Sequence, residues 1–587
     1  MKKFKRVFDI LKEYRDPATK HKTTVAGRER GQWRKYTREE FIKTIDELSQ
    51  GLLSLGLGKG DRVALMSGNR PEWNFIDFAC NQIGVVLVPL YPTLSNHDLE
   101  YILKDAEVKA LFISSQELCD KVASCLKNTD LELPLYSIDQ LEGYAHYSEV
   151  REAGKASQHD LEQYRSQVSE EDLLTLIYTS GTTGNPKGVL LSHKNLVSNV
   201  SACRHLVTDE YKKALSFLPL CHIFERMVIY LYLSKQIEIS YAETLDQIVV
   251  DIQDVKPDLF TTVPRVLEKV YDGIITKGKE LKGIKKGIFF WAIELGHQFK
   301  EPPLNSSFYM FKLGIARKLV FSKWKEALGG NIKLIISGGA ALQERLARIF
   351  WAADIKVLEG YGLTETSPVI AVNSWAAEDV KFGSVGRVLS NLDVKIADDG
   401  EILVKGPSIS SGYYNNPEET KAVIDQSGYL HTGDIGEITS DGFLKITDRK
   451  KEIFKTAGGK YVAPQVIENK LMESLLIAQV MVVGENKRFP SALIVPALPE
   501  LEKWANHKQI PFKNPLELLN LPEVIDKYNR EIDRLNDGFG QWEKVKKFKL
   551  LPKEWTIDAG ELTPKLSLKR KIILQRFAKE IAEIYGE

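Results

Sequence analysis

From Asp61 onward, apolar runs of strand length alternate with helix-like stretches, and this rhythm restricts the fold more than any single residue does. Asp61–Ser67 (DRVALMS) reads as a buried strand, Pro71–Ile83 as a helix and Val85–Pro89 as a second apolar run. Asp98–Asp105 is helical again and Ala110–Ser114 returns to strand. Near-continuous apolar strands separated by helices belong in parallel sheets covered by those helices, so the expected class is α/β. The pattern recurs at Asn331–Ser337 (NIKLIIS), which runs into Gly338-Gly339-Ala340 and then a helix over Leu342–Ala352. At 587 residues the chain exceeds one ordinary core and calls for several structural units.

Two stretches break the rhythm. Tyr271–Ala327 is lysine-rich and carries the aromatic-apolar patches Ile288–Leu295 and Phe308–Leu313, the pattern of an inserted helical segment with one apolar face. That face either packs on the main body or meets lipid. From Asn391 the sequence turns to short strands with turn signals: Asp393–Ile396, Asp398-Asp399-Gly400, Glu401–Lys405 and Asp441-Gly442. A charged stretch, Asp448–Glu452, then introduces a new α+β region. The expected layout is a large N-terminal domain over 1–447, with a β-rich subdomain about 391–447 and a helical insertion about 271–327. A smaller C-terminal domain over 448–587 follows.

Composition narrows the class. The chain is 43% hydrophobic and 27% charged, with a mean hydropathy of -0.22, as in a globular protein. Basic residues number 80 against 79 acidic ones, which argues against a nucleic-acid binder. Cys80, Cys119, Cys125, Cys203 and Cys221 show no metal or disulfide spacing and fit a reducing, cytoplasmic compartment. Lys12, Glu13, Arg15 and Asp16 interrupt any signal-peptide core, and Ile83–Leu90 and Gly287–Leu295 are too short to span a bilayer. Peripheral contact at the inner face of a membrane stays open, as does the oligomeric state, a dimer included.

After the strand-like Leu173–Tyr178 comes Tyr178-Thr-Ser-Gly-Thr-Thr-Gly-Asn-Pro-Lys-Gly188. Its glycines let backbone N–H groups approach an anion, its hydroxyls add donors, and Lys187 adds positive charge. The order of residues after Gly184 excludes a Walker A loop. The segment resembles the phosphate loop of the adenylate-forming superfamily of acyl-CoA synthetases, luciferases and peptide-synthetase adenylation domains. Further resemblances follow in family order: Leu218–Arg226 (LPLCHIFER), Glu359–Pro368 (EGYGLTETSP), Gly400–Gly406 with Ser411–Pro417, Thr432-Gly-Asp434, and Asp448–Gly459.

The resemblance implies roles. Thr179, Ser180, Gly181, Thr182, Thr183, Gly184 and Lys187 would hold the ATP phosphates, with Gly338, Gly339 and Ala340 lining the nucleotide and acyl pocket. In Glu359-Gly360-Tyr361-Gly362, Tyr361 would stack on adenine. Thr364 would meet a phosphate, and Glu365 with Thr182 would bind Mg²⁺. Asp434 would accept from the ribose hydroxyls, with Arg449 assisting and Lys455 touching AMP. His222 would lie near the carboxylate and α-phosphate, whereas Cys221 reads as packing. The C-terminal lysine falls on Lys569, in Leu562–Lys571 (LTPKLSLKRK), where Leu568 stands in place of the usual glycine and leaves Lys565 as the fallback. A hinge at 448–452, centred on Lys451, would rotate the C-terminal domain and bring Ala457 and Gly458 to the pantetheine of coenzyme A.

Thr261–Tyr271 and LPLCHIFER resemble the matching stretches of bacterial long-chain acyl-CoA synthetases. The implied activity is ATP-dependent ligation of a long-chain fatty acid to coenzyme A. The alternatives are an acyl-AMP ligase, a medium-chain or aryl CoA ligase, and a silent acyl- or nucleotide-binding protein.

Overall fold

The computed structural model describes residues 4–16, 23–127, 129, 131–179, 185–244, 247–556, 559–563 and 568–587. The chain divides into two units: residues 1–395 with 403–431, and residues 396–402 with 432–587. The fold is α/β, with the large parallel sheets in the first unit.

A seven-stranded sheet runs in the order Ala145–His146, Leu135–Ser137, Val108–Ile113, Arg62–Met66, Val86–Leu90, Leu173–Thr179, Lys187–Ser192. Its members are parallel except the last, which returns antiparallel on Leu173–Thr179. Val86–Leu90 is buried at every position, which is why its sequence lacks alternation. The intervening helices begin where the sequence supplies starts: Pro71 opens Pro71–Asn81, and the Ser95 hydroxyl caps Asn96–Asp105.

The nine-stranded sheet has the order Arg387–Val388, Val369–Val372, Lys356–Gly362, Leu334–Ser337, Leu259–Thr262, Lys213–Ser216, Glu238–Tyr241, Thr23–Glu29, Gln32–Thr37. Its centre is parallel, and antiparallel strands finish both edges. Leu259–Thr262 and Leu334–Ser337 are neighbours, so the whole helical insertion lies in the crossover between them. Its helices are Pro264–Glu280, Gly283–His297 and Ser307–Ala316, the last continuing through a π turn into Ser322–Ala327.

The two halves of this unit are pinned by a buried ion pair. Arg226, on helix Ile223–Ser234, reaches Asp77 on helix Pro71–Asn81 at 2.5 Å, and both side chains are almost fully excluded from solvent. The Tyr230 hydroxyl donates to Asp77, and Arg226 donates to the Thr175 hydroxyl. Every charge in this cluster has a partner, which such burial demands. All five cysteines are buried and unbridged.

In the second unit, Asp434–Ile438 and Leu444–Arg449 pair antiparallel, followed by the hairpin Phe454–Lys455 with Tyr461–Val462. A three-stranded sheet, Ile477–Val483, Ser491–Pro496 and Lys547–Leu550, carries apolar clusters on both faces. Among the described residues, no helix is long and apolar enough to cross a membrane.

Candidate active site

In the first unit, the candidate residues gather at the carboxyl ends of the parallel strands, where open α/β sheets bind ligands. The phosphate-loop candidate is flanked by two paired strands: Thr179 ends one, Lys187 begins the next, and the two are partners. Ser180, Gly181, Thr182, Thr183 and Gly184 lie outside the described residues. Beneath this strand pair, the Tyr178 hydroxyl donates to Asp105 at 2.5 Å and its ring packs on Gly188. A methyl group on Gly188 would stand 3.0 Å from that ring.

Lys187 forms an ion pair with Glu419, and its Nζ lies 5.4 Å from the centre of the Tyr413 ring. The Tyr413 hydroxyl donates to Glu365 Oε1 at 2.9 Å. The backbone N–H of Ser410 donates to the Glu365 carbonyl at 2.8 Å. Lys187 and Glu365, far apart in sequence, are thus joined through one aromatic side chain. Burial, then the charge of Glu365, pushes the Tyr413 hydroxyl well above the ordinary phenol range, so it stays a donor. Beside this cluster opens a polar cavity of 220 Å³, lined by Tyr101, Asp105, Asn185, Lys187, Tyr414 and Glu419 among others.

The central motif reaches this cluster through Glu365. Glu359, Gly360, Tyr361 and Gly362 occupy the end of strand Lys356–Gly362, and Thr364 and Glu365 form the turn after it. Gly362 has no alternative, because a methyl group there would meet the Pro368 carbonyl oxygen at 1.8 Å. Glu359 is buried and accepts the Leu342 N–H at 2.9 Å. Burial pushes its carboxyl up to about 8, so at neutral pH it is largely protonated and can donate a hydrogen bond. Thr364 is buried, while Glu365 and Tyr361 are half-buried.

Gly338, Gly339 and Ala340 follow strand Leu334–Ser337, and Gly338 packs against the Phe224 ring, where a methyl group would be 3.1 Å away. This brings the glycine turn against the second motif. There His222 caps helix Ile223–Ser234, its Nδ1 accepting the Phe224 N–H at 3.1 Å. In the neutral ring that bond puts the proton on Nε2. Three residues on, Glu225 is fully buried and accepts hydroxyls from Ser216 and Thr261, at the ends of two neighbouring strands. Burial pushes its carboxyl up to about 7.

In the second unit, Asp434 is buried opposite Arg449 across a strand pair, 3.6 Å from its Nε. Lys451 is exposed in the turn after strand Leu444–Arg449. Lys455 lies in the next hairpin with its Nζ 4.6 Å from the centre of the Tyr461 ring, and Ala457 and Gly458 sit exposed at that hairpin's tip. Lys569 caps helix Arg570–Arg576, its N–H donating to the Glu561 carbonyl. Lys565 lies outside the described residues.

A magnesium site must be built from few protein atoms. Among the described residues, no group of three or more His, Cys, Asp or Glu could hold a metal ion. Mg²⁺ bound beside substrate phosphates needs only one or two carboxylates. Glu365 fits, since accepting from Tyr413 leaves it further lone pairs. Sequence reading missed Tyr413, Glu419 and Glu225. Tyr413 falls within the quoted run Ser411–Pro417 and Glu225 within LPLCHIFER, so their positions were marked although their roles were not.

The sequence profile of AMP-binding enzymes matches residues 14–414, and that of the AMP-binding enzyme C-terminal domain matches residues 452–587. The chain belongs to the AMP-binding enzyme family. It is 34% identical to the long-chain-fatty-acid–CoA ligase FadD15 of Mycobacterium bovis, over 95% of this chain and 93% of that one. It is 32% identical to the human long-chain-fatty-acid–CoA ligase 1, over 93% of this chain and 82% of that one. Among solved structures, an anthranilate CoA ligase, AuaEII, in complex with anthranoyl-AMP superposes with a TM-score of 0.75 at 18% identity, covering 98% of each chain. The adenylation domain of a carboxylate reductase from Mycobacterium chelonae gives 0.75 at 22%, covering 99% of this chain and 93% of that one. At those identities the structural likeness speaks for the fold alone.

Proposed function

We propose that this protein is an ATP-dependent long-chain fatty acid–CoA ligase. The observation that carries the reading is the joining of Lys187 and Glu365 through Tyr413, on a chain 34% identical along nearly its whole length to a ligase of that name. In the first half-reaction a fatty carboxylate oxygen attacks the α-phosphorus of ATP, the bond to the bridging oxygen breaks, and pyrophosphate leaves. In the second, the thiol sulfur of coenzyme A attacks the acyl carbonyl, AMP leaves, and the thiol proton passes to solvent. Neither step needs a nucleophile from the protein, so its task is positioning and charge neutralisation.

In this reading Thr179, Lys187 and the loop through Gly184 hold the phosphates, with Thr182 and Thr364 supplying hydroxyls. Tyr361 lies against adenine, and protonated Glu359 donates beside it. Asp434 and Arg449 hold the ribose, with Lys455 near AMP. His222 offers its Nε2–H to the reacting carboxylate, and Lys569 offers its ammonium to the negative charge developing there. Mg²⁺ at Glu365 would neutralise phosphate charge. Residues 448–587 rotate about Lys451 between the half-reactions, and Ala457 and Gly458 then line the pantetheine path. Acid-dependent pyrophosphate release tests the reading: release with long saturated acids supports it, and none with any carboxylate refutes it.

Peripheral contact with the inner face of a membrane belongs to the same proposal. Phe308 (67% exposed), Phe311 (68%), Ile315 (41%) and Leu319 (53%) line one side of the helical run from Ser307. Lys312 stands 4.3 Å over the Phe308 ring and Lys318 adjoins Leu319, the arrangement of an interfacial helix on anionic lipid. In a two-fold dimer through this face, lysines would oppose lysines. Co-sedimentation with phosphatidylglycerol vesicles, lost in a Phe308→Ser, Phe311→Ser variant, would support contact; no binding at low salt would refute it.

A further inference from the structure

In the segment bearing Lys569, Leu568 stands where the superfamily resemblance implies a glycine, and its side chain is packed. Leu568 bridges to Leu562 and packs on the apolar cluster of Met481, Trp555 and Ile573. The Lys569 N–H is held by the Glu561 carbonyl at 2.8 Å. Glu561 is itself fixed, accepting from the Thr556 N–H at 3.0 Å and from Arg576 at 2.6 Å.

Arg570 makes the other anchor. Both terminal nitrogens of its guanidinium donate to Glu468 Oε1, at 2.7 and 2.8 Å, and one also donates to the Val482 carbonyl at 3.0 Å. Its Nε is 3.9 Å from Glu452, inside the hinge stretch. Glu468 also accepts the Val482 N–H at 2.6 Å, and from the same helix the Gln465 N–H donates to Asp448 at 3.1 Å. Two carboxylates, from the hinge turn and from helix Pro464–Leu471, therefore flank a single cation adjacent to Lys569, and Asp448 of the hinge strand is bonded to that same helix. Burial pushes Glu468 up to about 7 and Asp448 up to about 6, against the downward pull of Arg570.

We propose that Arg570 is the positioning residue of Lys569, binding the lysine-bearing segment and the hinge residues 448–452 into one body. The inference rests on the assignment of Lys569 to the adenylation step. With the guanidinium fixed on one side and Leu568 packed on the other, the Lys569 backbone has a single orientation. Its long side chain is aimed by these neighbours. Turning the hinge then moves the lysine as a rigid attachment.

The test uses full-length protein and separates the half-reactions: single-turnover pyrophosphate release with palmitate and ATP, and thioester formation from supplied palmitoyl-AMP and coenzyme A. Arg570→Gln should lower adenylation by about 30-fold or more while leaving thioester formation within about threefold. Arg570→Lys should restore only part of the loss, because an ammonium lacks the fork that spans Glu468 and Val482. Lys569→Ala should lower adenylation at least as far, and the Arg570→Gln, Lys569→Ala double variant should be no worse than Lys569→Ala alone. Glu452→Gln, which spares the Glu468 pair, should give a smaller loss of adenylation with an unchanged melting temperature.

Adenylation by Arg570→Gln at the wild-type rate overturns the proposal. So does equal loss of both half-reactions, additivity with Lys569→Ala, or unimpaired adenylation by Lys569→Ala. Absence of pyrophosphate release from the wild-type protein with every acid would instead refute the ligase reading on which the proposal stands.

Discussion

The Tyr413 hydroxyl donates to Glu365 at 2.9 Å while the same ring lies under Lys187 Nζ, 5.4 Å from its centre. One side chain thereby fixes both the carboxylate proposed to hold Mg²⁺ and the lysine proposed to hold phosphate. Tyr413→Phe keeps the ring and removes the donor. A hydrogen bond to a charged group contributes about 1.5–3 kcal/mol, so kcat/KM for Mg-ATP should fall at least about tenfold. The loss should shrink as Mg²⁺ is raised, since a site with a less ordered ligand binds the ion more weakly. Initial rates over a matrix of ATP and Mg²⁺ check this.

Arg226→Met should be one of the most destabilising substitutions in the chain, because it strands the carboxylate of Asp77 in the interior. Breaking a buried pair from one side costs about 3–5 kcal/mol. Asp77→Asn combined with Arg226→Met should recover part of it, since no charge is left unpaired. Chemical denaturation of the three variants measures this.

Glu359 gives stability a pH dependence. Its carboxyl is raised from 4.5 to about 8 in the folded protein, so the folded state holds a proton that the unfolded chain releases earlier. Its stabilising contribution is full below about 4.5 and is lost as pH rises toward about 8. Glu359→Gln, which keeps an acceptor for the Leu342 N–H, should flatten the decline in melting temperature across that window.

Much of the site was legible in the sequence because its parts are local. The phosphate-loop and central-motif candidates each lie within about a dozen residues, so their resemblance to the family's motifs shows in a single run of sequence. Strands such as Arg62–Met66 and Asp393–Ile396 stand where their apolar runs or turn signals put them. The antiparallel return Lys187–Ser192 was missed, although Gly188-Val-Leu-Leu follows the loop directly. The pairing of Val25 with Ile239 joins the chain's beginning to the far edge of the nine-stranded sheet, and nothing local announces it. Tyr413 and Glu419 escaped for the same reason: their partners are 48 and 232 residues away. The insertion's helices begin at Pro264, earlier than its lysine-rich composition suggested, because the first of them alternates apolar and polar faces.

Lys451→Pro tests the hinge. Lys451 sits in an exposed turn between strands, and proline would fix its φ near -65°. Acyl-AMP formation should stay measurable while thioester formation is blocked. Equal loss of both would place the hinge elsewhere.

The most direct measurement is a screen of saturated acids of graded chain length with ATP, Mg²⁺ and coenzyme A, following AMP and acyl-CoA together. A long-chain fatty acid–CoA ligase should release AMP and acyl-CoA in equal amounts, with kcat/KM highest for the long acids. Acyl-AMP accumulating without thioester, a preference for short or aryl acids, or no AMP with any acid would each contradict that identity.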